Sequence, residues 1–119
     1  MPTVLVVDDD PDLLALCSMV LESEGYNVDA ARNGSEAVDK LSHNGIDVML
    51  LDVMMPVMDG LSVCKIVKHD PHLKDVPVII MSASQTMRDR GKGCADAILT
   101  KPFDLDRLVE TVHSFAPAG

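Results

Sequence analysis

The sequence predicts an α/β domain with a five-stranded parallel sheet that helices cover on both faces. Two observations predict this architecture. Short apolar runs rich in β-branched residues alternate with stretches in which apolar residues recur at helical spacing. The chain also has 119 residues, of which 47% are hydrophobic, and this size and composition suit one domain with a substantial core.

The first half of the chain predicts two strands and two helices. Residues 4–7 form a continuous apolar run, which is typical of a strand buried on both faces. Asp10 is suited to cap the helix that follows, and Gly25 is suited to end it. Residues 27–31 predict a second strand, and residues 33–43 predict a second helix.

The second half continues the alternation. We expect strands at residues 46–51, 76–81 and 95–100, and a helix at residues 60–68. A last helix has one apolar face, formed by Phe103, Leu105, Leu108, Val109, Val112 and Phe115.

The charge balance excludes two classes of partner. The chain has 10 Lys and Arg residues against 19 Asp and Glu residues, a formal net charge of −9. A surface this acidic repels nucleic acid and anionic lipid, so we expect no direct nucleic acid binding. Because no apolar run is long enough to cross a bilayer, we also expect no membrane insertion.

The three cysteines, Cys17, Cys64 and Cys94, are too few and too scattered to indicate a disulfide framework. Cys17 and Cys64 stand in apolar-periodic stretches, so we expect both to be small core residues. This use of cysteine predicts a cytoplasmic location.

Polar residues follow four of the predicted strands. Asp8 and Asp9 follow the first strand, Asp52 the third, Ser82 the fourth and Lys101 the fifth. The carboxyl ends of parallel strands share one edge of the sheet, where ligands bind in open α/β folds. Each residue alone has an ordinary explanation, such as a helix start or a surface lysine. Together they predict one crevice.

The chemistry of this crevice favours a metal and a phosphoryl group. Three neighbouring carboxylates repel one another until protons or a cation relieve them. Ligands that are all oxygen suit Mg²⁺. Lys101 can pair with a phosphoryl oxygen, Ser82 can donate a hydrogen bond to one, and an ionised Asp52 can attack phosphorus.

Four motifs together are similar to those of one known family. They are V-L-V-V-D-D-D-P at residues 4–11, L-L-D-V-M-M-P-V-M-D-G at residues 50–60, Ser82 followed by Ala83, and Lys101-Pro102-Phe103. On these motifs the chain resembles the receiver domains of two-component response regulators. The resemblance implies a flavodoxin-like sheet of strand order 2-1-3-4-5. We expect a single receiver domain at residues 2–116 with no output domain.

The resemblance also implies roles for the site residues. Asp52 matches the phosphoacceptor and, with Asp8 and Asp9, the carboxylates that bind Mg²⁺. Met54 matches the position whose backbone carbonyl ligates the metal.

Ser82 matches the switch hydroxyl, Lys101 the lysine that contacts the phosphoryl group, and Pro102 a cis proline. The implied partners are a histidine kinase or histidine phosphotransfer protein, which donates the phosphoryl group, and a downstream target protein.

The sequence departs from the family pattern in two places. Ile98 occupies a position where many receivers have an aromatic switch residue. The segment between Ser82 and Lys101 is about one helical turn short and contains Gly91 and Gly93. We therefore expect the fourth helix, which this segment contains, to be short or irregular.

Two other functions compete with a phosphorylated switch. A metal-dependent phosphatase with an Asp nucleophile usually has a second acidic residue two positions later, where this chain has Met54. A pseudo-receiver binds proteins without phosphorylation, and such a domain would normally have lost one of the five site residues.

Overall fold

The computed structural model describes residues 1–43, 45–52, 60–83, 89 and 93–117. Five parallel strands form one sheet; they are β1 (Thr3–Val7), β2 (Asn27–Ala31), β3 (Val48–Asp52), β4 (Val78–Ser82) and β5 (Ala97–Thr100). Their order is β2-β1-β3-β4-β5, which confirms the parallel α/β sheet and the strand order that the resemblance implies.

Helices cover both faces of this sheet. They are α1 (Pro11–Ser23), α2 (Gly34–His43), α3 (Gly60–His69) and a C-terminal helix (Leu105–Phe115). The short or irregular fourth helix was expected in the segment between Ser82 and Lys101, and residues 84–88 and 90–92 of this segment lie outside the described residues. Within the described ranges, every helix is too short or too polar to span a lipid bilayer.

Strand residues pack alternately into two cores, one on each face of the sheet. Leu5, Val7 and Met49 join the core under α2 and α3. Val4 and Val6 join the core under α1 and the C-terminal helix. Because both faces are covered, the central strands contain no polar residue between Thr3, which opens β1, and the residues at their carboxyl ends. This burial explains the continuous apolar runs.

Helix starts follow the predicted capping chemistry. The Asp10 carboxylate accepts hydrogen bonds from the backbone N–H groups of Asp12 and Leu13, with Pro11 in the first turn of α1. Asn33 Oδ1 accepts from the Glu36 N–H at 2.8 Å. Each such cap contributes about 1 kcal/mol and fixes the direction in which the chain leaves the sheet.

Three strands begin two residues later than predicted. The apolar residues Ile46, Val76 and Ala95 pack against the α2–α3 core from loops rather than from strands. Apolar periodicity reports burial, and burial does not require a place in the hydrogen-bonded ladder.

The structure contains one disulfide, which the sequence offered no reason to expect. Cys64 on α3 and Cys94 before β5 are linked by a disulfide, with their Cα atoms 6.2 Å apart. The two residues are 30 positions apart in sequence, so only the packing of α3 over the sheet reveals their proximity. Cys17 and Cys64 are both buried, as predicted, and Cys17 is a free thiol.

An ion pair lies close to the disulfide. Lys68 Nζ is 2.8 Å from Asp96 Oδ2 and 3.1 Å from the Val76 carbonyl oxygen. Asp96 Oδ2 also accepts a hydrogen bond of 2.8 Å from the Val78 N–H. Burial alone raises the pKa of the Asp96 carboxyl, but the hydrogen bonds from Lys68 and Val78 and the Lys68 charge bring it below its usual 3.8.

We predict that Asp96→Asn lowers the free energy of unfolding by about 1 kcal/mol at pH 7, a small value because the pair is partly exposed. The folded pKa of Asp96 is depressed, so its contribution is present above pH 3.8 and is lost as the pH falls through the lower folded pKa. Urea unfolding between pH 7 and pH 2.5 should show the two proteins converging. Asp39→Asn, an exposed change of equal charge on α2, is the control. A difference that does not depend on pH would contradict this assignment.

Candidate functional site

Asp8 directly follows β1 and is buried at the carboxyl end of the sheet. The Asp8 N–H donates to the Ala31 carbonyl at 3.1 Å, which extends the pairing of β1 with β2 by one residue. Asp8 Oδ1 accepts from the Asp10 N–H at 2.9 Å, and this turn fixes the orientation of the carboxylate. The Asp8 residue is only 1% exposed.

The ends of β3, β4 and β5 supply the next three residues. Asp52 closes β3 opposite Met81 and is 4% exposed, and Ser82 closes β4 and is 1% exposed. The Lys101 N–H donates to the Ser82 carbonyl at 2.9 Å, which holds the end of β5 beside β4. The Lys101–Pro102 peptide is cis, as the resemblance implies.

Lys101 brings a positive charge to two of these carboxylates. Its Nζ is 3.4 Å from Asp8 Oδ2 and 3.6 Å from Asp52 Oδ2. Because both carboxylates are almost completely buried, neither can rely on water to stabilise its charge. The ammonium therefore stabilises charges that come from two different strands.

Three carboxylates at this edge could hold a cation together. One oxygen each from Asp8, Asp9 and Asp52 can be chosen so that all three lie within 4.8 Å of one another. Asp9 is exposed, which leaves one side of the cluster open to water. The single Lys101 ammonium cannot offset three negative charges, and the donor set is all oxygen. These residues therefore fit Mg²⁺, which binds a few carboxylates and keeps several waters.

The structure brings the Asp8 and Asp52 carboxylates within ion-pair distance of the Lys101 ammonium. Asp9 lies at the exposed side of this cluster, and Ser82 lies at the end of the neighbouring strand β4. Met54 lies outside the described residues, so its backbone ligand stays a prediction.

Ile98, at the position where many receivers have an aromatic residue, is half-buried on β5. Its side chain packs against the α2–α3 core.

Cys17 is a neighbour of the site that the sequence analysis missed. It lies on the buried face of α1, where burial and the Asp8 charge raise the pKa of its thiol to about 11, against a smaller lowering effect of Lys101. The signal was available in the sequence, because Cys17 stands in the helix that directly follows the three aspartates.

Comparison with known proteins decides the family. The family model described as "Response regulator receiver domain" matches residues 4–113. The chain belongs to the response regulator receiver domains. Its fold, strand order and acidic edge agree with this membership.

Two curated relatives show how far the similarity extends. The transcriptional regulatory protein PrrA of Mycobacterium tuberculosis is 42% identical over 116 residues, covering 95% of this chain and 49% of PrrA. The "DNA-binding dual master transcriptional regulator RpaA" of Synechocystis is 35% identical over 117 residues, covering 96% of this chain and 48% of RpaA. The chain thus spans about half the length of the curated relatives it matches.

A solved structure agrees over nearly the whole receiver domain. The response regulator TrrA of Thermotoga maritima, solved in complex with Mg²⁺ and BeF, superimposes with a TM-score of 0.89 at 34% identity. The match covers 97% of this chain and 99% of the TrrA chain.

We predict that Mg²⁺ raises the melting temperature of this domain by roughly 5 °C at ten times its dissociation constant, which corresponds to about 1.4 kcal/mol. Asp9→Asn should fold normally, because Asp9 is exposed, but should require at least about tenfold more Mg²⁺ for the same shift. Differential scanning fluorimetry checks both. Asp39→Asn removes an exposed carboxylate elsewhere and should respond like the wild type. An equal response of Asp9→Asn and wild type would place the cation elsewhere.

Proposed function

We propose that this receiver domain is the phosphoacceptor switch of a two-component phosphorelay. In this proposal Asp52 accepts a phosphoryl group from a histidine kinase or a histidine phosphotransfer protein. The observation that carries it is the position of Lys101 Nζ, within 3.6 Å of carboxylates from β1 and β3. The acceptor and its charge-neutralising partner are thereby held at one point.

Phosphoryl transfer requires that the reacting groups are held in line and that the charge on the phosphoryl oxygens is neutralised. An Asp52 oxygen attacks phosphorus, a new oxygen–phosphorus bond forms, and the phosphorus–nitrogen bond of the donor phosphohistidine breaks with its electron pair going to the imidazole. Lys101 stands where it can pair with an equatorial phosphoryl oxygen. Bound Mg²⁺, held by Asp8, Asp9, Asp52 and the Met54 carbonyl, would neutralise further phosphoryl charge.

A change of surface follows from the same contacts. The Ser82 hydroxyl can donate a hydrogen bond to the new phosphoryl oxygen, which would draw the end of β4 towards Asp52. Because the Lys101 N–H is bonded to the Ser82 carbonyl, this movement reaches β5 directly. Ile98 on β5 offers an aliphatic side chain here, so the signal passes through backbone and packing rather than through rotation of a ring.

The proposal extends to the setting of the domain. Residues 2–116 form one receiver unit that catalyses only its own phosphorylation and slow dephosphorylation, rather than turnover of a substrate. It acts in the cytoplasm, where its target is a protein and its acidic surface disfavours direct contact with nucleic acid. PrrA and RpaA have names that refer to transcription, and each is about twice as long as this chain.

The alternatives are weaker. A pseudo-receiver would not need all of Asp8, Asp52 and Lys101 within ion-pair distance, and its site residues would be free to change. A metal-dependent phosphatase needs an acid or base two positions after the nucleophile, and Met54 cannot transfer a proton.

We predict that incubation with Mg²⁺ and acetyl phosphate adds one phosphoryl group to the wild type and none to Asp52→Asn. Intact-mass spectrometry is the measurement, since the chain has no Trp whose fluorescence could report the change. Lys101→Met should slow labelling by about 10²-fold, because the developing phosphoryl charge loses its cation.

Asp39→Asn should be labelled like the wild type. Absence of labelling in the wild type would favour the pseudo-receiver. Equal labelling of Asp52→Asn would mean that another residue is the acceptor. Continuous release of phosphate from an aryl phosphate would instead favour the phosphatase.

A further inference from the structure

Two adjacent links connect α3 with the segment that enters β5. Cys64 and Lys68 lie four residues apart, and therefore on the same face of α3. Their partners, Cys94 and Asp96, lie two residues apart in the segment before Ala97. The covalent link and the ion pair thus join the same two parts of the chain side by side.

The ion pair joins the same two segments as the disulfide, and it would hold them together in the reduced protein. Lys68 donates to Asp96 Oδ2, and Asp96 also accepts from the Val78 N–H of β4. These contacts involve neither cysteine, so they remain when the disulfide opens. The Cα separation of 6.2 Å suits a disulfide without movement of the backbone. Opening the bond therefore leaves two thiols positioned to close it again.

The two cysteines differ in access. Cys64 is fully buried in the α2–α3 core, whereas Cys94 is half-buried at the edge of that core. A reagent from solution therefore meets Cys94 first. Cys17 is buried on the opposite face of the sheet and its thiol pKa is about 11, so it stays protonated and protected at neutral pH.

We infer that Cys64 and Cys94 are a reversible redox modification site that clamps the edge strand β5 and thereby the position of Lys101. The clamp itself stands on the packing of α3 and β5, while its effect on phosphoryl acceptance rests on the proposed function.

Thiol–disulfide exchange closes the clamp with balanced chemistry. The Cys94 thiolate attacks a small disulfide such as glutathione disulfide, forming a mixed disulfide and releasing one thiol. The Cys64 thiolate then attacks the Cys94 sulfur and releases the second thiol. The two cysteine protons end on the two released thiols, and the two electrons reduce the external disulfide. A dithiol reductant reverses both steps.

The edge strand is the element that such a clamp affects most. Among the described residues, β5 pairs with β4 alone. It has four residues, of which only Leu99 is buried, whereas all five residues of β3 and of β4 are buried. At its carboxyl end, the Lys101 N–H bonds to the Ser82 carbonyl. At its amino end, Cys94 stands three residues before Ala97. Opening the disulfide removes the covalent restraint at that amino end and leaves the polar contacts.

The test compares one wild-type protein in two redox states, equilibrated with glutathione disulfide or with dithiothreitol. We expect one free thiol in the unfolded oxidised protein and three in the reduced protein. The oxidised state should melt higher by on the order of 10 °C. Amide hydrogen exchange in β5 should be about tenfold slower in that state, and labelling of Asp52 by acetyl phosphate about threefold faster.

Two variants and two outcomes make the test decisive. Cys94→Ser should behave like the reduced wild type under both conditions, whereas Cys17→Ala should keep the full redox response. Three free thiols after oxidation, or equal β5 exchange in both states, would overturn the clamp. Failure of Asp52 labelling in both redox states would overturn the proposed function instead, and thiol count and exchange would still decide the clamp.

Discussion

The Lys101 ammonium lies between carboxylates of Asp8 and Asp52, and the rest of the site depends on this contact. Both carboxylates are almost fully buried, so their charges need a nearby cation. The cation follows the outermost strand β5, while the carboxylates lie at the carboxyl ends of β1 and β3. Only a parallel sheet brings the ends of these three strands to the same edge. The contact between Lys101 and the two carboxylates therefore depends on the parallel direction of these strands.

The same topology explains why the strands are apolar and the edge is polar. Helices cover both faces, so the buried residues of β1, β3 and β4 have no contact with water for a polar group until the strand ends. Asp8, Asp52 and Ser82 lie at these strand ends, where all three are almost fully buried. Because three carboxylates remain against one ammonium, the edge keeps a negative charge that favours a divalent cation. The fold thus determines both the place and the sign of the site.

The sequence predicted those parts of the molecule that follow from local pattern and strand direction. The parallel sheet, the caps at Asp10 and Asn33, and the meeting of Asp8, Asp52 and Lys101 are of this kind. The starts of β3, β4 and β5 were placed two residues early, because apolar loop residues before these strands are also buried.

The disulfide between Cys64 and Cys94 could not be predicted from the sequence. It depends on how α3 packs over the sheet, and no local pattern encodes that packing across 30 positions. The disulfide and a backbone hydrogen bond restrain opposite ends of β5. The disulfide lies before its amino end, and the Lys101 N–H donates to the Ser82 carbonyl at its carboxyl end. One restraint responds to thiol chemistry, and the other lies beside the charges at Asp52. Since β5 is an edge strand in which only Leu99 is buried, both restraints act on an element whose position costs little to change.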